Sequence, residues 1–184
     1  MSDRHNEHIE LINGKRRRTR IDVLAISVDG MRVLVQYNQQ KDIYDFPGGG
    51  LDKNDTIGQT AIREAAEEAG WVCTNPIEMN VSSCTLFKDA DDRYYHEQGW
   101  DEELQVPVLC NAIQYQPRSA YNSEADAGVF ELKLINEVLA GCQRELERVD
   151  TKLRRKIQLQ IRIEILAKQF DSIKETKSTA YLKW

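Results

Sequence analysis

This chain has no apolar run longer than a strand, so no segment of it reads as a membrane span. Its start, MSDRHNEHIE, lacks the apolar stretch of a secretory signal and is not expected to act as one. Cysteine is sparse: Cys73, Cys84, Cys110 and Cys142 stand far apart, with no Cys-x-x-Cys pair and no Cys/His cluster. They are expected to be buried or free thiols in a reducing compartment, which points to the cytoplasm. Positive charge is not in excess either. Lys and Arg total 25 against 30 Asp and Glu, a formal net charge of -5, which argues against a general nucleic-acid binder. No internal repeat, low-complexity segment or linker divides the sequence.

With 184 residues, 41% of them hydrophobic and 30% charged, the chain can bury one real core but not two. The expectation is one domain over 1–184, with 1–14 loosely attached and 143–184 forming a helical extension. A mean hydropathy of -0.58 fits a water-soluble protein.

The most informative stretch is FPGGGLDKNDTIGQTAIREAAEEAGW, residues 46–71. A glycine turn precedes a helix predicted over about 57–69. Thr56 and Gln59 form a capping-box pair at its start, and Gly70 suits the left-handed position past its end. Ile62, Ala65, Ala66 and Ala69 make an apolar stripe at helical spacing. Glu64, Glu67 and Glu68 share a different side, since residues three and four apart lie on one face. Three clustered carboxylates repel one another, and a hard divalent cation offsets that. Oxygen-only ligands select Mg²⁺ or Mn²⁺ over zinc or copper, and such a site suits a pyrophosphate. Arg63 can bridge to Glu67 or reach back to the glycine loop. The alternative is a solvated acidic face steadied by Arg63 and Lys53.

The segment from Gly49 to Trp71 resembles the signature of the Nudix hydrolases. That pattern is a glycine, five residues, a glutamate, seven residues, then Arg-Glu-U-x-Glu-Glu-x-Gly-U, where U is a bulky aliphatic. Gly49, Arg63, Glu64, Glu67, Glu68 and Gly70 match in register. Asp55 stands where the family has glutamate, and Ala65 and Trp71 replace larger aliphatics. The resemblance implies an α/β fold, an α/β/α sandwich with a mixed central sheet, a catalytic loop-helix and an extended C-terminal helix. It implies that Glu64, Glu67 and Glu68 bind metal, that Arg63 orients them, and that Gly49 is the turn glycine, with Gly50 beside it at the substrate. Asp55, one methylene short, is expected to shift the loop or brace it less firmly.

The resemblance also points to Tyr44 or Phe46 near a nucleoside pocket, the alternative being that one of them simply packs in the core. It further suggests Glu124, ahead of Val129 and Phe130, as a metal ligand or base from a facing loop. Asp126 and Glu131 compete for that role. The implied reaction is metal-dependent hydrolysis of a nucleoside diphosphate linked to another moiety. Glu68 or Glu124 is the candidate general base, with Glu67 third. The alternatives are an enzyme acting on an RNA 5′ end and a non-hydrolytic nucleotide-binding module. KRRRTR at 15–20 and the cations of 152–156 favour RNA; Asp55 keeps the binding module open.

Elsewhere, 21–28 and 31–37 read as strands joined by an Asp29-Gly30 hairpin turn. KRRRTR is either a solvated approach to the first of them or a phosphate contact. Residues 71–74, 79–87 and 104–115 look extended, with Pro107 implying an edge or bulge. The polar segment 88–103 carries Tyr94, Tyr95, His96 and Trp100, which either stack on a base or pin the segment to the body. A short helix is expected over 135–142, stopping near Gly141. Ile157, Leu159, Ile161, Ile163 and Ile165 alternate with polar residues, which by period alone reads as strand. Their helix-forming flanks favour one long helix instead. Its two apolar faces, 157/161/165 and 159/163/166/170, predict packing on the domain on one side and, on the other, either a homodimer contact or an unusually enclosed helix.

Overall fold

The computed structural model describes residues 7–87, 95, 97–116 and 129–181. Their element order is β1 (Ile9–Ile12), β2 (Lys15–Ser27), β3 (Arg32–Asn38), β4 (Ile43–Asp45), α1 (Ile57–Ala69), β5 (Trp71–Glu78), β6 (Ser83–Leu86), β7 (Glu102–Tyr115), β8 (Phe130–Leu134), α2 (Ile135–Glu147) and α3 (Leu153–Tyr181). The strands form one mixed sheet with the path β4-β3-β2-β7-β5, to which β1, β6 and β8 add at β2, β7 and β3. β2 and β7 run parallel, from Arg17 opposite Glu102 to Ser27 opposite Ala112; the other pairs are antiparallel.

Period-two alternation along β2 sends Ile21, Val23 and Ala25 to one face of the sheet, where Ala61, Ala65 and Ala69 of α1 pack. Leu24 and Ile26 go to the other face, against Ile135, Val138 and Cys142 of α2 and Leu159, Ile165 and Leu166 of α3. The result is the expected α/β/α arrangement. All four cysteines are free, and Cys73, Cys110 and Cys142 are buried. Among the described residues, no helix is long and apolar enough to cross a membrane.

Several expectations need correction. Residues 9–12 are not loose: Asn13 and Gly14, both at positive φ, turn the chain so that β1 pairs with the start of β2. KRRRTR is not a solvated approach but part of β2. Parallel register sets it beside Asp101, Glu102 and Glu103, and Arg16, Arg17 and Arg18 ion-pair with them at 3.2, 2.5 and 2.8 Å. Arg18 also lies over the buried Trp100 ring, 4.1 Å from its centroid, and Tyr95 stacks on Phe87 at 4.3 Å. Tyr95 and Trp100 thus pack on the body, while residues 88–94 and 96 lie outside the described residues.

Pro107 lies within the interior strand β7, not on an edge. Its carbonyl accepts from Met79 N at 3.1 Å, so the side that lacks an N–H faces the gap between β5 and β6. Gly141 does not stop α2, which continues to Glu147. It is there because a side chain would collide with the Tyr44 ring. In α1 the buried residues are Thr60, Ala61, Ala65 and Ala69, while Ala66 is exposed. The helix is rotated from the expected stripe, which brings Glu64 and Glu68 inward. In α3, Leu159 and Leu166 are fully buried, and Ile157 of the other face is 43% exposed.

Candidate active site

β2 and β3 touch at one register pair, Ile26 opposite Val33, and diverge beyond it. The chain leaving β4 fills the opening. Pro47 and Gly49 carbonyls accept from Val23 and Ile21 N–H at 2.8 Å each, and Leu51 N–H donates to Thr19 O at 2.9 Å. The glycine loop is thus held along β2 as a strand would be. Close approach explains the glycines: side chains at 48 and 49 would meet the Ile21 carbonyl and the Glu64 carboxylate respectively, and one at 50 the Glu7 carboxylate.

α1 starts and stops as expected. Thr56 and Gln59 complete a reciprocal capping box, and Gly70 caps the end at φ 69°. Arg63 then ties helix to loop. Its Nε donates to Asp55 at 3.1 Å, its Nη1 to Glu64 at 2.8 Å and Glu67 at 3.0 Å, and its Nη2 reaches Asp52 at 3.1 Å and Gly50 O at 3.5 Å. Arg63 therefore makes both of the contacts considered for it. Asp55, which also accepts from Thr60 Oγ1 at 3.4 Å, braces the loop despite its shorter side chain. Burial opposes the Arg63 charge, but these carboxylates outweigh it and hold the guanidinium above its ordinary range.

Glu68 turns to the loop instead, where its Oε2 accepts from Gly48 N–H at 2.8 Å. Glu64 is 15% exposed, and burial first, then the charges of Glu68 and Glu67, raise its carboxyl to about 7 against the opposing pull of Arg63. Among the described residues, no three His, Cys, Asp or Glu side chains converge as a ready metal cluster. Arg63 engages Glu64 and Glu67, and the Gly48 amide engages Glu68. In donor chemistry the three still fit a hard divalent cation: all are carboxylates, and Glu64 is short of compensating positive charge.

Beside Glu68 opens a cleft of about 430 Å³, with Phe46 and Phe130 in its wall and Arg20, Lys152, Arg154, Arg155 and Arg162 around it. Of the two aromatics expected near a pocket, Phe46 lines this cleft, 5% exposed with Arg162 over its ring at 4.6 Å. Tyr44 instead packs against Tyr37, with centroids 4.9 Å apart, and against Gly141. Glu124, Asp126 and His96 lie outside the described residues. Glu131 lies in β8 and pairs with Lys133 at 2.8 Å.

Sequence reasoning missed Arg162. It bonds Asp22 through Nε at 2.7 Å and Nη2 at 2.6 Å, both residues being buried. A signal was available: an aspartate inside an apolar strand, and an arginine three residues after Leu159 and four before Leu166 on a buried stripe.

A NUDIX hydrolase from Nitrosomonas europaea shares the fold at 12% identity and a TM-score of 0.51, over 85% of this chain and 89% of that one. Similarity at lower TM-score extends to the E. coli dihydroneopterin triphosphate pyrophosphohydrolase, with 14% identity, a TM-score of 0.49, and coverage of 77% of this chain and 91% of that one. A mutator MutT protein from Bacillus halodurans shows 20% identity and a TM-score of 0.45, covering 67% of this chain and 72% of that one. No protein of curated function matches the chain. The NUDIX domain profile matches residues 16–147, which include the glycine loop, Arg63 and the three glutamates of α1, and the chain therefore belongs to the Nudix hydrolase family.

Proposed function

We propose that this protein hydrolyses a phosphoanhydride bond in a nucleoside diphosphate linked to another moiety, with Mg²⁺ or Mn²⁺ as cofactor. The observation that carries this reading is the placement of Glu64 and Glu68 against the glycine loop, beside a cleft ringed with cations. Glu64, Glu67 and Glu68 would hold the ion, which when bound neutralises the diphosphate and polarises a P–O bond. Arg63 keeps the carboxylates in place and joins them to the loop. Gly49 leaves room for the Glu64 carboxylate, and Gly49 and Gly50 present backbone to the diphosphate. Phe46 offers an apolar surface to the nucleoside.

Glu68 is our first candidate for the base that accepts a proton from the attacking water. One of its oxygens is fixed by the Gly48 amide, so its orientation is set in advance. Glu124 is the other candidate, and Glu67 the third. An RNA 5′-end activity has less support than the small-nucleotide reading, because Arg16, Arg17 and Arg18 already face Asp101, Glu102 and Glu103. A binding-only role has less support too, since Asp55 keeps its bond to Arg63. A cytoplasmic location, with free thiols, belongs to the same reading. A homodimer through α3 would draw on Leu153 and Ile157, which are 74% and 43% exposed, and sedimentation velocity tests it.

The deciding experiment is a panel of nucleoside diphosphate derivatives and a 5′-triphosphorylated RNA, each with Mg²⁺ or Mn²⁺ and scored by product mass. Glu67→Gln should lower turnover about 10²-fold or more, as loss of a positioned base or metal ligand does. Near-normal turnover by that variant would overturn the assignment.

A further inference from the structure

Two buried side chains in the wall of the cleft beside Glu68 each keep one polar atom without a hydrogen-bond partner among the described residues. Asp22 takes Nε and Nη2 of Arg162, at 2.7 and 2.6 Å, and Nη1 is left unbonded. Gln105 Oε1 is unbonded too, so the two atoms do not satisfy one another. Arg162 is 5% exposed and Gln105 6%. A buried polar atom without a partner forfeits its hydration and gains nothing in return, and native folds leave few of them.

The fold brings both side chains to one cleft. Gln105 of β7 lies opposite Arg20 of β2, and Asp22, two residues further along β2, points to the same face of the sheet. α3 packs on that face through Leu159 and Leu166 and carries Arg162 over Asp22. The Phe46 ring lies under the guanidinium, 4.6 Å from its carbon. Asp22 at one edge and Phe46 at one face therefore fix its plane before a ligand arrives. Asp22 also meets its charge, so what Nη1 offers the cleft is a directed hydrogen bond.

The unbonded atoms are one donor and one acceptor. A phosphate brings acceptors alone and would set its oxygens against Gln105 Oε1. An acceptor next to a donor is the pattern of a nucleobase edge, and arginine donates well to a base carbonyl. We propose that Arg162 and Gln105 read the base of the substrate, Nη1 donating to a ring carbonyl and Oε1 accepting from the adjacent ring N–H. This rests on the reading above, in which the anhydride lies at the glycine loop; Phe46 and Phe130 give the base its apolar wall. Guanine and uracil both carry that carbonyl beside a ring N–H. In adenine and cytosine the roles are exchanged, since the exocyclic group donates and the ring nitrogen accepts. Seated in the same way, those bases set donor against donor and acceptor against acceptor.

The four nucleoside 5′-monophosphates, GMP, UMP, AMP and CMP, test this by calorimetric titration into the full chain with Mg²⁺. None has an anhydride, so turnover does not intervene. GMP or UMP should bind at least about tenfold tighter than both AMP and CMP, and the tighter of the two names the base. Gln105→Leu, close in size and without the amide, should reduce that preference below about threefold while melting as wild type does. Arg162→Met is made together with Asp22→Leu, so that no buried charge is stranded, and should abolish the preference as well. Lys168→Gln, on the exposed side of α3, should retain it. Equal binding of all four, binding of none, a preference for AMP or CMP, or a preference that survives both Gln105→Leu and the double replacement overturns the assignment. The two readings fail separately. A protein that selects GMP or UMP but cleaves no anhydride keeps the base site and loses the hydrolase, and one that cleaves anhydrides without selecting a base loses only the base site.

Discussion

The carboxylate of Glu64 lies in the space that a side chain on Gly49 would occupy. The two residues belong to different elements, and each limits the other: the loop is glycine at this point so that a buried acid of α1 can lie against its backbone. Gly49→Ala should therefore displace Glu64 while leaving the sheet and the helix cap untouched. Turnover should fall about 10²-fold with an unchanged far-UV circular dichroism spectrum, as expected for a misplaced metal ligand. Normal turnover in this variant would mean that Glu64 has no need of its observed position.

Glu64 also makes stability depend on pH. Its carboxyl is raised from an ordinary 4.5 to about 7, so the folded chain holds the proton more tightly than the unfolded chain does. The penalty for ionising it is absent below about pH 4.5, grows as pH rises, and is complete above about pH 7. The metal-free protein should lose up to about 3 kcal/mol across that window relative to Glu64→Gln. Urea unfolding of both proteins at pH 5 and pH 8, in EDTA, measures the difference. Mg²⁺ should restore part of the loss at pH 8 in the wild type only.

Arg63 reaches four carboxylates and a loop carbonyl. Arg63→Ala should destabilise the fold by about 2–4 kcal/mol, because it leaves the half-buried acids of α1 without a counter-charge. Arg63→Lys should recover only part of this, since an ammonium cannot span Asp55, Glu64 and Glu67 with a planar fork. Chemical denaturation of the three proteins at pH 7.5 gives the order. Equal stability of the lysine variant and the wild type would argue that charge alone suffices.

Asp22 and Arg162 join the sheet to α3 through a buried pair. Asp22→Ala should cost about 3–5 kcal/mol, since it strands a buried guanidinium. The double replacement Asp22→Leu with Arg162→Met should recover most of that loss and can match the wild type, because well-packed apolar groups remove the desolvation cost of both charges. A double-mutant cycle followed by thermal melting reads out the coupling.

The catalytic loop-helix was legible because its information is local. Cap, stop and carboxylate spacing are consequences of 3.6 residues per turn and of short-range hydrogen bonds, and the extent of α1 followed from them. Its rotation was not legible. Ala61, Ala65 and Ala66 are all plausible core residues, and the sheet and the glycine loop decide which of them is buried. The Asp29-Gly30 turn was read at once, while the equally local Asn13-Gly14 was passed over in a polar setting. Pro107 read as an edge or a bulge because the argument from its missing N–H cannot say which neighbour that side faces.

By itself the sequence determined the elements whose causes lie within a few residues: the capped acidic helix, the glycine turn, the hairpin and the alternation along β2. Only the tertiary structure decided the partners. It placed KRRRTR against Asp101, Glu102 and Glu103, Asp22 against Arg162 over a separation of 140 residues, and the cations of α3 beside the loop that holds Glu68. The physical reason is that charge pairing and burial act through space. They depend on the register of parallel strands and on how a helix lies across a sheet, which no short window of sequence encodes.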